Sequence, residues 1–400
     1  MSIVMSGAYA GLKVVDLSQG VAGPYCARML RENGAEVTKV EPLDGDWGRG
    51  IGFASDGLSA LAIVNNLGKR SIAIDASTSN GRMLLRRLCK NADVLIESFR
   101  PGVMERLGLS WNTMFEENPR LIYVSVTAFG PTGPYAARPG SDSTLQAMSG
   151  LMQANADKDG TPKKVGTVVV DAVTGVYAAH ATAAALYKKS ITGQGSRVEV
   201  SLLECALAMQ GNSIVDADLT KDRSRVPLSV PAGTFMTSDG FINVSSLHDR
   251  MFAGLCRAIG RDDWVTDSRF NSAETRAENA SAINSMLESI FASRPSAYWE
   301  ETLSREGVVC GVVKDYASMQ ADPQVRALDL LCEIEHCSGV CEVPRVPGSP
   351  RNFPVDPAPR VGENTVEILE ELGFGEQEIQ VFFEEGVVVH TPSPRGYVAN

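Results

Sequence analysis

The sequence predicts an α/β protein, with a parallel sheet covered on both faces by helices and a second, smaller domain. Three observations carry that expectation. Apolar strand-like runs alternate with helical runs through the first half of the chain, the pattern of β-α-β units. The 400 residues are 44% hydrophobic and only 21% charged, enough to build a large core and two domains. From about residue 210 the chain turns polar and irregular, and the segments beyond it change style.

LKVVDLS (12–18) reads as a buried strand and SQGVAGP as the loop after it. YCARMLREN follows as a helix stopped by Gly34, and AEVTKVE as a second strand. The pattern repeats with KRSIAID (69–75) as a strand, GRMLLRRLCKN as a helix, and ADVLIES (92–98) and RLIYVSVTAF (120–129) as further strands. In VGTVVVDAVTGVYAAHATAAALYKK (165–189) a valine run reads as a strand, and an Ala-rich helix begins after Asp171. SRVEVSLLECALAMQ is a strand running into a helix. The predicted organisation is residues 1–208, a crossover at 209–230, a small domain at 231–315, a second crossover at 316–350, and a closing segment at 351–400. No internal repeat is evident.

A formal net charge of -11 argues against a nucleic-acid binder and against attachment to an anionic membrane. The N-terminus has no basic region followed by an apolar core, and no apolar run is expected to span a bilayer, so the expected location is the cytoplasm. Eight dispersed cysteines read as reduced thiols. Cys332, His336, Cys337 and Cys341 cluster without a C-x-x-C pair, and the segment alternates like a hairpin around Ser338-Gly339, so no metal site is expected. Glu41 ends the second strand where a ribose-binding acid belongs. The loop before it has only Gly20 and Gly23, however, and lacks the G-x-G-x-x-G spacing of a dinucleotide site. No G-x-S-x-G elbow, H-E-x-x-H or P-loop occurs, and His180 reads as a core histidine.

Catalysis must then rest on carboxylates. Asp142, in RPGSDSTLQAMSG, and Asp171 both interrupt small or apolar sequence. For Asp171 two readings stand open: a helix cap that accepts a backbone N–H, or a nucleophile. Lys39, Lys69, Arg70, Arg100 and Arg106 gather after strands and suit either phosphates or surface ion pairs.

Taken in order, DLSQGVAGPYCARMLRENGAEVTKVEPLDGD, NLGKRSIAID, ADVLIESFRPGVMERLGL, NPRLIYVSVTAFGPTGPYAARPGSD, LQAMSGLM, VVVDAVTGVYAAHATAAAL, TGQGSRVEVSLLECAL, TSDGFINV and PRVGENTVEILEELGF resemble the class III coenzyme A transferases. This is the family of formyl-CoA transferase and the carnitine-related CoA transferases. The resemblance runs nearly end to end, and the ordered set is far more specific than any one motif. It implies a doubly wound large domain built from both chain ends, a small domain between them, and an interlocked homodimer.

The resemblance implies that Asp171 is the nucleophile and carries coenzyme A as an aspartyl thioester, with Asp142 in a supporting polar role. It points to Val21, Ala22, Ile74, Asp75, Ala76, Ser77, Ser98, Phe99, Arg100 and Arg106 as coenzyme A contacts; Ser98 stands where the family usually has Asn. The implied partners are an acyl-CoA and a small carboxylate, with coenzyme A as substrate and no tightly bound cofactor. Family racemases use a histidine just before the acid that corresponds to Asp142. Ser141 stands there, which disfavours an α-methylacyl-CoA racemase; a non-catalytic CoA-binding protein is the third reading. No GGGG run lies between 205 and 245, so formyl-CoA and oxalate are not implied. Dicarboxylates are, with succinyl-CoA as a donor and Arg223 and Arg225 within the linker as candidate contacts for a second carboxylate.

Overall fold

The computed structural model describes residues 7–157, 159–220, 229–336, 339–351 and 353–392. Arg223, Arg225, Cys337 and Ser338 lie outside the described residues. The chain divides into two units, one of residues 1–214 with 329–400, the other of residues 215–328.

In the larger unit the principal elements are β1 (Lys13–Asp16), α1 (Ala22–Glu32), β2 (Glu36–Glu41), β3 (Arg70–Ile74), α2 (Ser79–Lys90), β4 (Val94–Glu97) and β5 (Ile122–Thr127). They continue with α3 (Asp142–Met148), α4 (Val169–Thr192), β6 (Ser196–Ser201), α5 (Leu202–Met209), α6 (Thr365–Glu371), α7 (Glu376–Glu384) and β7 (Val388–Val389). The sheet order is β7-β3-β2-β1-β4-β5-β6, parallel except for β7, which pairs antiparallel with β3. Strands β1 and β4 are near-continuous apolar runs because both of their faces are covered. Val15 and Leu95 pack with Leu84 of α2, Ile368 of α6 and Phe382 of α7 on one face. Val14, Val94 and Ile96 pack with Cys26, Ala27 and Leu30 of α1, Ala178 of α4 and Cys205 of α5 on the other. Each fully buried Leu or Ile contributes roughly 1.5–3 kcal/mol. Both chain segments thus build one α/β unit with a central parallel sheet.

Helices α1 and α4 cross closely because small residues line their contact. A Cβ on Gly175 would lie 2.9 Å from the carbonyl oxygen of Ala22 and 2.9 Å from Cδ1 of Tyr25, so any larger residue forces the helices apart. By length and mean hydropathy α4 is apolar enough to cross a membrane, although Asp171, Lys188 and Lys189 interrupt it. Its buried residues, among them Val170, Gly175, Ala178 and Ala179, face α1 and the sheet.

Other expectations change too. The valine run is not a strand, since α4 already begins at Val169 and ends at the left-handed Gly193. The stretch 209–220 continues as a helix over Gly211–Thr220. The stretch 316–350 holds short helices at Tyr316–Gln320 and Pro323–Ala327, then strands Leu331–His336 and Gly339–Pro344 paired as a hairpin. Polarity alone marked both stretches as crossovers, but exposed helices and hairpins are equally polar. The smaller unit has its own three-stranded antiparallel sheet and a core of Phe235, Phe252, Trp264, Phe270, Phe291 and Trp299.

Candidate active site

The strand order reverses direction between β1 and β4, and in open α/β sheets ligands bind at the carboxyl ends of the strands beside such a switch point. A cavity of about 310 Å³ lies there. The loop after β1 supplies Gln19, Val21 and Ala22, the loop after β4 supplies Ser98, Phe99 and Arg100, and Arg138, Ser141 and Asp171 join them. Six of the predicted site residues therefore meet in one place. Asp142 lies buried just behind this lining. Ile74, Asp75, Ala76 and Ser77 end β3 outside that cavity, and Arg106 lines a separate cleft of about 910 Å³ with Arg82, Arg86, Arg87 and Lys90. Neither Arg100 nor Arg106 has an ion-pair partner among the described residues, which leaves both able to meet an anion.

Asp171 is not the cap of its helix. It is the third residue of α4, and the residue before the helix, Val168, has no side-chain acceptor. Asp142 does the capping instead: its Oδ1 accepts the N–H of Val170 at 2.8 Å and that of Asp171 at 3.3 Å. Its Oδ2 accepts Nε2 of Gln146 at 2.7 Å, and Oε1 of Gln146 accepts the N–H of Val165 at 2.9 Å. One short helix, α3, thereby pins the whole turn that presents Asp171. Ser141 caps α3 by accepting the N–H of Thr144, a structural use of the position where a racemase would need its base.

With the cap supplied by Asp142, the Asp171 carboxylate accepts no hydrogen bond among the described residues. Burial, and then the negative charge of Asp142, raise its pKa to about 7. Desolvation and a like charge thus outweigh the favourable positive end of the helix. At neutral pH it is poised between the neutral acid and the ionised carboxylate.

The loop after β1 is held from below by buried charge. Gly20 N–H donates to both carboxylate oxygens of Asp46 at 3.0 and 3.1 Å, and Lys39 Nζ donates to Asp46 Oδ2 at 2.9 Å and to the Ser18 carbonyl. Lys69 Nζ donates to Asp16 at 2.8 Å and to the Pro24 carbonyl at 2.9 Å. Lys39 and Lys69 are thus internal ion pairs, not phosphate ligands, and Arg70 is paired with Glu371. Glu41 is buried against Arg49 and accepts Ser71 Oγ at 2.7 Å, so it holds no ribose. From the other side, Ser98 Oγ accepts the Gln19 N–H at 3.0 Å, joining the loops after β1 and β4. Residue reading missed Gln19, Trp47 and Arg138. Arg138 had a signal: an arginine four residues before Asp142 in a Pro- and Gly-rich loop.

A family model, CoA-transferase family III, matches residues 9–365. An acyl-CoA transferase of Fusarium pseudograminearum is 33% identical, covering 96% of this chain and 88% of that protein. A succinate–glutarate CoA-transferase of Agrobacterium fabrum is 32% identical, covering 91% of this chain and 95% of that one. The crystal structure of a CAIB/BAIF family protein from Brucella suis superposes with a TM-score of 0.82 at 31% identity, covering 92% of this chain and 100% of that one.

Proposed function

We propose that Asp171 is a covalent nucleophile, on the premise that this chain belongs to CoA-transferase family III. As a member of that family it is an enzyme that moves coenzyme A from an acyl-CoA to a carboxylic acid. A carboxylate oxygen of Asp171 attacks the thioester carbonyl, the C–S bond breaks, and CoA thiolate leaves a mixed anhydride. The thiolate then attacks the Asp171 carbonyl, releasing the first carboxylate and leaving an aspartyl-CoA thioester. The acceptor carboxylate attacks that thioester, and the thiolate attacks the acceptor's carbonyl in the second anhydride, regenerating Asp171. One thioester replaces another, so the exchange is nearly balanced in energy, and covalent catalysis splits it into easier steps.

The observation that carries this reading is the unpaired Asp171 carboxylate in a cavity beside the two coenzyme loops. The pantetheine arm is assigned to Val21, Ala22 and Phe99, and the phosphates to Arg100 and Arg106, with Ile74 to Ser77 along the coenzyme's path. No residue at 141 offers a racemase base, so the isomerase reading has no support. The names of several relatives, which print succinate with glutarate or succinyl-CoA with glutarate or malate, favour a dicarboxylate acceptor and succinyl-CoA as donor. We further assign an interlocked homodimer. In support, α4 exposes Val176, Tyr177, Tyr187 and Ile191, apolar area that a second copy would cover. A cytoplasmic location is supported by the cysteines of the described residues, all free and four of them buried.

The test is mass spectrometry of the protein incubated with a panel of acyl-CoAs led by succinyl-CoA, then quenched with hydroxylamine. A hydroxamate on Asp171, absent in Asp171→Asn, establishes the intermediate and names a donor. An unmodified Asp171 with every donor, in protein that binds CoA, rejects the mechanism.

A further inference from the structure

Glu97 ends β4 with its side chain on the same face as Leu95, since alternate residues of a strand share a face. Their partners on β5 are Ser125 and Tyr123, and Leu95 and Tyr123 both belong to the apolar core. Glu97 is nevertheless a carboxylate, 4% exposed, with no ion-pair partner among the described residues. Arg197, which lines the same hollow, is taken by Glu199 at 2.7 Å. Burial raises the pKa of Glu97 against the pull of the Ser125 hydroxyl and the Phe99 N–H. A buried acid costs stability that a leucine here would not, and that cost is set against what the carboxylate holds.

It holds the start of the loop after β4. Its Oε2 accepts the Phe99 N–H at 2.8 Å, and Phe99 makes no backbone–backbone hydrogen bond among the described residues. From the front, Ser98 Oγ accepts the Gln19 N–H, and the turn closes where the Val103 N–H donates to the Arg100 carbonyl at 3.2 Å. Phe99 and Arg100 line both the cavity of Asp171 and a second cavity of about 200 Å³ bordered by Glu97, Trp111 and Tyr123. The loop is therefore a partition with open space on two sides, and packing alone does not fix its main chain.

We infer that Glu97 is a positioning residue for coenzyme binding: it does not line the cavity of Asp171, and its carboxylate sets the Phe99 main chain so that Phe99 and Arg100 face the coenzyme. The inference rests on the assignment of those two residues to the coenzyme above. What the position requires is an acceptor rather than a charge, because the partner is a neutral N–H.

The experiment measures coenzyme A binding by calorimetry, and steady-state kinetics with succinyl-CoA and glutarate, in wild type, Glu97→Gln, Glu97→Leu and Glu97→Ala. Gln keeps an oxygen for the Phe99 N–H, Leu keeps the buried bulk without an acceptor, and Ala removes both. Melting curves check that each variant is folded. Glu97→Leu and Glu97→Ala should raise the coenzyme A Kd and the donor KM by ~10-fold, the worth of one hydrogen bond. Their kcat and acceptor KM should stay within ~2-fold of wild type, and Glu97→Gln should stay within ~2-fold in every constant. Wild-type coenzyme A binding in Glu97→Leu overturns the inference. A Glu97→Gln as weak as Glu97→Ala also overturns it and moves the role to the charge, and so does a loss that falls on kcat or the acceptor KM. Should Glu97→Ala not fold, Glu97→Leu decides alone. Hydroxylamine trapping in wild type separates the two layers: no Asp171 adduct rejects the transfer mechanism, whereas calorimetry reads Glu97 without turnover.

Discussion

Replacing Asp142 by Asn tests how the Asp171 carboxylate is tuned. The substitution keeps an oxygen that can accept the N–H of Val170 but removes the charge next to Asp171. Two causes lift Asp171 from its usual 3.8 to about 7, burial first and the Asp142 charge second. Removing the smaller cause should recover less than half of that interval, so the pKa in Asp142→Asn should settle between about 5.4 and 7. The acid limb of kcat/KM for the acyl donor reports this group in the free enzyme. At pH 6 the ionised fraction is roughly a tenth in wild type and at most about four-fifths in the variant. Normalised to each enzyme's alkaline plateau, activity at pH 6 should therefore rise, by no more than ~8-fold. A structural cost accompanies the gain, because the new amide N–H₂ faces Nε2 of Gln146 and strands a buried donor, worth ~1–3 kcal/mol in denaturant unfolding. An acid limb that stays at about 7, or moves upward, refutes the electrostatic account.

The other perturbations read stability and coenzyme binding. Asp171 has a raised folded pKa, so its contribution to stability is complete below its unfolded value and is lost as pH rises through about 7. Asp171→Asn should thus unfold later than wild type at pH 8, by up to ~4 kcal/mol, and lose that advantage toward pH 4; equal curves at both pH values count against it. Lys39→Met leaves Asp16 and Asp46 buried with too little positive charge and should cost ~3–5 kcal/mol by urea unfolding; a loss below ~0.5 kcal/mol contradicts the internal network. Arg106→Ala should raise the acyl-CoA KM ~10-fold with kcat unchanged and weaken its salt dependence, while an unchanged KM removes Arg106 from the coenzyme path.

The strands were legible because parallel strands covered on both faces leave a local trace: Val14 and Val15, and Val94 to Ile96, are apolar on consecutive positions and so on both faces. The helix α1 was legible from its own stop at Gly34. The site was legible only in part, and the misses share one physical cause. Lys39 and Lys69 look like phosphate ligands from their neighbours in sequence, but Lys69 finds Asp16 across 53 residues of chain. The valine run before Asp171 has strand propensity, but Asp142 reaches it from 28 residues upstream and caps a helix there. Propensity is a local quantity, and these outcomes are decided by non-local partners.

That non-local cap is what leaves the Asp171 carboxylate available for the proposed attack. Had Asp171 capped its own helix, its carboxylate would have spent its lone pairs on backbone N–H groups, stayed well ionised and reacted weakly. Instead the work is divided between two acids at one helix start. Asp142 takes the hydrogen bonds of Val170, Asp171 and Gln146, and its charge presses on a neighbour left without a donor. Asp171 becomes more basic as a result, with a pKa near neutral pH, where a sizeable fraction is ionised and each ionised group is a stronger nucleophile. The helix-cap reading of this turn thus passes from Asp171 to Asp142, which leaves the Asp171 carboxylate free for the proposed attack. The destabilised carboxylate persists because α3 fixes the turn through Gln146 while Gly175 lets α4 pack directly on α1. Loosening either contact should cost catalysis before it costs the fold, since the sheet and its two cores do not depend on where Asp171 points.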